Sequence, residues 1–177
     1  MWVEEDDVID WGLCFTAQEA GAKISMSPGF VREGALPPEI TINTSTDGIH
    51  WTDFTPGEDI ITLPSVGSKV YFSAGNEGNA GFYDISNGAN NNNYWKFVIE
   101  DGFVSASGNI MSLLDKRGVK TTIQQRRAFY HLFDNCAMLT EPPDLLATTL
   151  SEDCYSCLFK NCINLNRTAV LPPTVDI

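Results

Sequence analysis

Apolar and polar residues alternate with period two over several short stretches in the first hundred positions. Ala22-Lys23-Ile24-Ser25-Met26-Ser27 and Glu39-Ile40-Thr41-Ile42-Asn43-Thr44 follow the pattern, as do 50–54, 59–63, 69–73 and 94–99. Alternation of this kind puts one face of a strand into a core and leaves the other wet. Asp47-Gly48 lies between two alternating runs, which is the strongest short-range hairpin signal. Pro56-Gly57 and the segment 64–67 supply further turns, while 76–93 is rich in Gly and Asn and reads as a loop. Six or seven short strands at fairly even spacing predict an antiparallel, Ig-like β-sandwich over 13–104, within a mainly β chain.

The pattern changes beyond that point. Ile110-Met111-Ser112-Leu113-Leu114 is a short apolar run, and 105–127 reads as a basic connector or cap. From 128 the chain repeats itself at an offset of 26. Ala128 to Leu139 (AFYHLFDNCAML) aligns with Cys154 to Leu165 (CYSCLFKNCINL), with Leu, Phe, Asn, Cys and Leu identical in place. The register runs on without a gap, Leu145 meeting Leu171 and Thr148 meeting Thr174. A period between about 20 and 29 with recurring Leu and an Asn/Cys step marks leucine-rich repeats. Such units have one apolar face each and bury it only by stacking, so equivalent residues form ladders. Residues 128–177 are therefore expected to be a short leucine-rich-repeat-like solenoid. Leu132 and Leu158, and Phe133 and Phe159, are expected to be buried equivalents.

The repeat changes how the cysteines are read. Cys154-x-x-Cys157 with Cys162 has a zinc-like look, but no second paired ligand motif lies at finger spacing. In the repeat register Cys154 replaces Ala128 and Cys157 replaces His131, while Cys136 and Cys162 are equivalent. The thiols then read as small core groups rather than ligands, and no metal or cofactor is expected.

Charge narrows the partners. The chain has 177 residues, 23 acids against 11 bases and a net charge of -12. A surface so acidic repels phosphate, which argues against a nucleic-acid partner. No stretch of 18 apolar residues is present, so no membrane span is expected. The charge is unevenly spread. Lys116, Arg117, Lys120, Arg126 and Arg127 fall in 116–131 with no acid among them. They read as a solvated connector or as a local site for an anionic group, such as an acidic glycan or a partner carboxylate. The leader 1–12 carries five acids and no base around Trp2, Val3, Val8, Ile9 and Trp11. That is not the pattern of a secretory signal. Trp2, Val3 and Trp11 are candidate docking residues, because aromatics dominate interface energetics.

The block Ala128 to Leu139, followed by Pro142-Pro143-Asp144-Leu145-Leu146-Ala147-Thr148-Thr149-Leu150, resembles the BspA-type leucine-rich repeats of gut-bacterial surface proteins and their phages. Leu171-Pro172-Pro173-Thr174-Val175 reads as a degraded second copy of the latter part. The phrases Ser45 to Trp51, Ile60 to Leu63, Val66 to Phe72 and Ala106 to Leu114 are similar to the β-sandwich that precedes such arrays. The resemblance implies an exposed adhesion or recognition protein with no catalytic residues to carry over. It also implies many repeats, whereas about two are present here.

Two functions follow as expectations. The first is a non-enzymatic recognition or structural module on a virion or a bacterial surface. It would be anchored to virion or envelope proteins through the leader, and would be a homo-oligomer or part of a larger assembly. It would bind a host glycan or surface protein, with Trp51, Tyr83, Tyr94, Arg126 and Arg127 as candidate ligand-binding residues. The second is a glycan-active enzyme, or its carbohydrate-binding accessory domain. That function would need two carboxylates about 5–10 Å apart in a cleft. Asp47 with Asp53, or Asp84 with Glu100, are the pairs available, though each is better explained as turn chemistry or a wet-face charge. His50 and His131 fall in no Ser/His/Asp or metal-ligand pattern.

Overall fold

The computed structural model describes residues 12–29, 37–85 and 93–173. The candidate docking residues Trp2, Val3 and Trp11 lie outside them. The protein is mainly β. Its strands are β1 (Leu13–Ala17), β2 (Ala22–Pro28), β3 (Ile42–Ser45), β4 (Thr52–Phe54), β5 (Ile60–Leu63), β6 (Lys69–Ala74), β7 (Trp95–Glu100), β8 (Val104–Ser107) and β9 (Leu139–Glu141). One sheet has the order β4-β3-β6-β1-β8-β9 and the other β5-β2-β7. All pairings are antiparallel except β8 with β9.

Alternation sets which faces meet. On β2, Ala22, Ile24 and Met26 are buried while Lys23 and Ser25 are only partly so. Phe15 of β1 and Phe72 of β6 meet Phe97 of β7 edge to face, at 5.1 and 5.2 Å between ring centres. These rings join the two sheets, an arrangement that suits the aromatic quadrupole. The run from 110 forms a 3-10 turn, Ile110–Leu113, with every side chain buried. Ser112 is polar at that depth, yet its hydroxyl accepts from Leu13 N–H and donates to the Phe72 carbonyl. It is therefore satisfied and ties β1 to β6.

Two strands differ from the sequence reading. β1 is apolar at four of its five positions, so it showed no alternation. β8 runs to Ser107, past the expected boundary at 104, and β9 from the repeat block pairs with it, Val104 opposite Leu139. One apolar core accordingly runs from Leu13 through to Cys162.

The repeat block forms two stacked coils, 126–136 and 152–162, built from overlapping turns. In the first coil Tyr130, Leu132, Asp134 and Cys136 N–H donate three residues back, to Arg127, Phe129, His131 and Phe133. The second coil repeats this with Ser156, Leu158, Lys160 and Cys162. Every fourth residue is left-handed: Arg127, His131 and Asn135, then Asp153, Cys157 and Asn161, with φ between 54° and 63°. In the first coil the carbonyls used between layers then point one way and the N–H groups so used point the other. Arg127, Phe129, His131, Phe133 and Asn135 N–H donate to the carbonyls of Glu152, Cys154, Ser156, Leu158 and Lys160 at 2.9–3.2 Å.

The carbonyl side of the first coil faces the sheets. Phe82 N–H donates to Ala128 and Phe97 N–H to Leu132. Two aromatic ladders cross all three layers. Phe82, Phe129 and Tyr155 stack at 6.1 and 5.8 Å, and Phe97, Phe133 and Phe159 at 5.2 and 5.5 Å. The Cys136 thiol donates to the Phe97 carbonyl and the Cys162 thiol to that of Phe133, one layer on. Asn161 Nδ2 donates to Asn135 Oδ1. The sheet residues thus act as a layer beneath the first coil. Leu132 and Leu158 are both buried, as expected. Phe133 and Phe159 are not equal: Phe133 is fully buried, while Phe159 is half-buried because no described layer covers it.

Candidate functional site

Four of the five candidate ligand-binding residues lie where the first coil meets the sheets. The fifth, Trp51, precedes β4, at the opposite edge of the larger sheet from β9, and is half-buried. Tyr83 and Tyr94 pair across an isolated antiparallel bridge. As candidate ligand-binding residues they would need accessible rings, but they are 3% and 6% exposed. Their rings are consumed internally, Tyr83 and Tyr94 packing edge-on against Tyr130 at 5.2 and 5.7 Å.

Arg127 completes this cluster. Its guanidinium lies 5.3 Å from the centres of both the Tyr83 and Tyr130 rings, donates to the Tyr83 hydroxyl at 3.1 Å and reaches Asp153 at 3.4 Å. Burial opposes its charge, but the Tyr83 and Asp153 contacts outweigh that and raise its pKa. Burial, with Asp134 nearby, pushes the Tyr94 hydroxyl up to about 12. His131 Nδ1 and Asp134 Oδ2 are 3.0 Å apart and both residues are buried. Arg127 is therefore an internal clamp between layers and not an open anion site.

Arg126 differs. Its side chain is 46% exposed, with a loose 3.5 Å contact to Glu152. It lines an open cleft of about 770 Å³ between the segments 77–85 and 114–126. Lys120, Thr121, Thr122, Gln124 and Gln125 line the same cleft, with Glu77 the lone carboxylate among its lining residues. Its walls are pinned from behind. Gln125 Nε2 donates to the Tyr83 carbonyl, Asn79 Nδ2 to the Leu113 and Thr41 carbonyls, and Ile123 N–H to Thr149. Lys120, Thr121, Thr122 and Gln124 are exposed, so two cations and a row of hydroxyl and amide groups face solvent from a fixed frame. Such a surface can take up a polar ligand carrying negative charge.

Of the carboxylates an enzyme reading would use, Asp47 is engaged within its own turn. Asp47 accepts from the Ile49 and His50 N–H groups and contacts His50 Nδ1 at 2.7 Å. Those bonds, the His50 side chain foremost, hold it below the usual carboxylate range. His50 thus helps to close its own turn. Asp53 lies on an outward position of β4 opposite Asn43, and Glu100 lies opposite Lys23 at the end of β7. Among the described residues no group of three or more His, Cys, Asp or Glu is placed to hold a metal ion, and no helix is long and apolar enough to cross a membrane.

Family models, curated proteins and solved structures give no match to this chain. The functional reading therefore rests on its own residues. Sequence reasoning named Lys120 within the basic run as part of a possible anion site, but missed the hydroxyls and amides of Thr121, Thr122, Gln124 and Gln125 beside it. The signal available was their position directly after the cations Lys116, Arg117 and Lys120.

Proposed function

We propose that this protein is a non-enzymatic, exposed recognition module of a phage virion or a bacterial surface. In this reading the two sheets are an Ig-like sandwich, and the coils are a short BspA-type leucine-rich-repeat stack seated on it. The cleft beneath Arg126 is the ligand site, and the ligand is an acidic glycan or a carboxylate-bearing surface polymer. One observation carries the reading: Lys120 and Arg126, the latter loosely paired with Glu152, line a cleft of mixed polar and apolar character whose lining holds one carboxylate, Glu77, in a chain whose net charge is -12. A cationic pocket on an anionic protein favours a specific anionic ligand over general attraction.

The test is a titration with sialylated or uronic-acid oligosaccharides beside their neutral counterparts, followed by backbone NMR shifts. Binding of the acidic set with shifts in 119–126, weakened at least about tenfold by Lys120→Ala with Arg126→Ala, supports the reading. Turnover of the oligosaccharide, or equal binding of neutral sugars, overturns it. The leader with Trp2, Val3 and Trp11 serves as the anchor in this account. Deleting 1–12 should abolish attachment to the parent particle or envelope, and undiminished attachment would remove that part.

A further inference from the structure

The cleft beneath Arg126 has a neighbour. A second cleft, of about 420 Å³, is lined by Arg117, Gly118, Asp144, Leu146 and the segment 107–109. Val119 lines both clefts and is 70% exposed, so the two meet at its side chain. Each has the volume of an ordinary small-molecule site, roughly 300–1,000 Å³.

The turn between the clefts is held from within. Asp115 Oδ2 accepts from the Val119 and Lys120 N–H groups at 3.1 and 3.2 Å, and Gly118 N–H donates to the Asp115 carbonyl. Ser73 Oγ donates to the Lys116 carbonyl and Lys116 Nζ to Asn76 Oδ1, which ties the turn to the end of β6. The far wall is fixed too, with Asp144 N–H donating to the Gly108 carbonyl and Ile110 N–H to that of Asp144. Val119 therefore stands out on a fixed ridge with a cleft on either side. The joined lining carries three cations, Arg117, Lys120 and Arg126, and two carboxylates, Glu77 and Asp144. Among the described residues neither Arg117 nor Lys120 has an ion-pair partner.

We infer that the two clefts are one binding track, and that its ligand is a linear acidic polysaccharide lying across Val119. Arg117 holds the carboxylate of one sugar, and Lys120 with Arg126 that of another further along the chain. The apolar face of a ring between them covers Val119, and sugar hydroxyls donate to Asp144 and Glu77. A peptide strand fits poorly, because it would need free backbone groups on the ridge, and the Val119 and Lys120 N–H groups are already taken by Asp115. The inference rests on the proposed ligand site beneath Arg126 and extends it. Two clefts engaged by one chain act as linked sites, so affinity depends on whether the ligand is long enough to reach both.

The experiment titrates the full chain with galacturonic acid oligomers, from dimer to octamer, by calorimetry at physiological ionic strength, with amide shifts followed by NMR. The dimer should shift 119–126 alone. At one length the affinity should step up at least about tenfold and then level off, with new shifts at 107–109 and Gly118. Arg117→Ala, a change at an exposed side chain, should bring the octamer back to the dimer's affinity. Affinity that rises only in proportion to the number of sugars, or a step that survives Arg117→Ala, would overturn the inference and leave the site beneath Arg126 standing. Absence of binding at every length would overturn both.

Discussion

Replacing Phe133 by Ala removes the centre of an aromatic ladder. The ring is fully buried, with Phe97 at 5.2 Å and Phe159 at 5.5 Å on its two faces and Phe15 edge-on at 6.2 Å. A buried Phe→Ala change costs roughly 3–5 kcal/mol. Three ring partners, each worth about 0.5–1.5 kcal/mol beyond burial, place this one in the upper half of that range. Phe159→Ala removes a half-buried ring with one ladder partner and should cost about 1–2 kcal/mol. Urea unfolding of both variants, followed by circular dichroism and tryptophan fluorescence, measures the difference. For a chain of this size Phe133→Ala should also lower Tm by roughly 8–20 °C. A loss below about 1 kcal/mol at Phe133, or equal losses at the two positions, would refute the layered packing.

Arg127→Lys should cost about as much as Arg127→Ala, roughly 1–2 kcal/mol, because an ammonium does not reproduce the guanidinium's contacts with Tyr83, Tyr130 and Asp153; Arg126→Ala should fall below about 0.5 kcal/mol in the same unfolding assay. Of the five thiols, only Cys157 is exposed, and burial raises the pKa of Cys14, Cys136, Cys154 and Cys162, that of Cys162 to about 11. A thiol reagent at neutral pH should titrate one group in the native chain and five in denaturant, and two or more fast native thiols would contradict the packing. Tyr94 is raised to about 12 by burial first, then by Asp134, from an ordinary value of 10. A raised folded pKa gives stability that is complete below the unfolded value, so stability should hold to about pH 9 and fall between pH 10 and 12. Tyr94→Phe should flatten that fall, and an unchanged slope would discount Tyr94.

The period of 26 was legible because five side chains recur in place, and it located Leu132, Leu158, Cys136 and Cys162 in the core. The same offset held a second signal that went unread. Arg126 pairs with Glu152, Arg127 with Asp153 and Glu141 with Arg167, each 26 apart. Two of these three pairs explain Arg126 and Arg127 of the basic run as cross-layer balance. The layer below the first coil was illegible for another reason. Phe82 and Phe97 come from separate segments of the sheet region, so their spacing to Phe129 and Phe133 shows no common period. Left-handed Arg127 and Cys157 gave no warning either, since neither is a residue type that favours that conformation. Tyr83 and Tyr94 looked like free aromatics because their partners, Tyr130, Arg127 and His131, lie more than thirty residues away in sequence.

The proposed function requires that the cleft lined by Lys120 and Arg126 hold an acidic ligand without transforming it. The direct measurement is an NMR titration of the full chain with an acidic oligosaccharide, the sugar signals being followed over the same hours. Shifts confined to 119–126 and 77–80, with the sugar unchanged at the end, are the predicted result. New reducing-end signals, or shifts centred on Trp51 with the cleft silent, would contradict it.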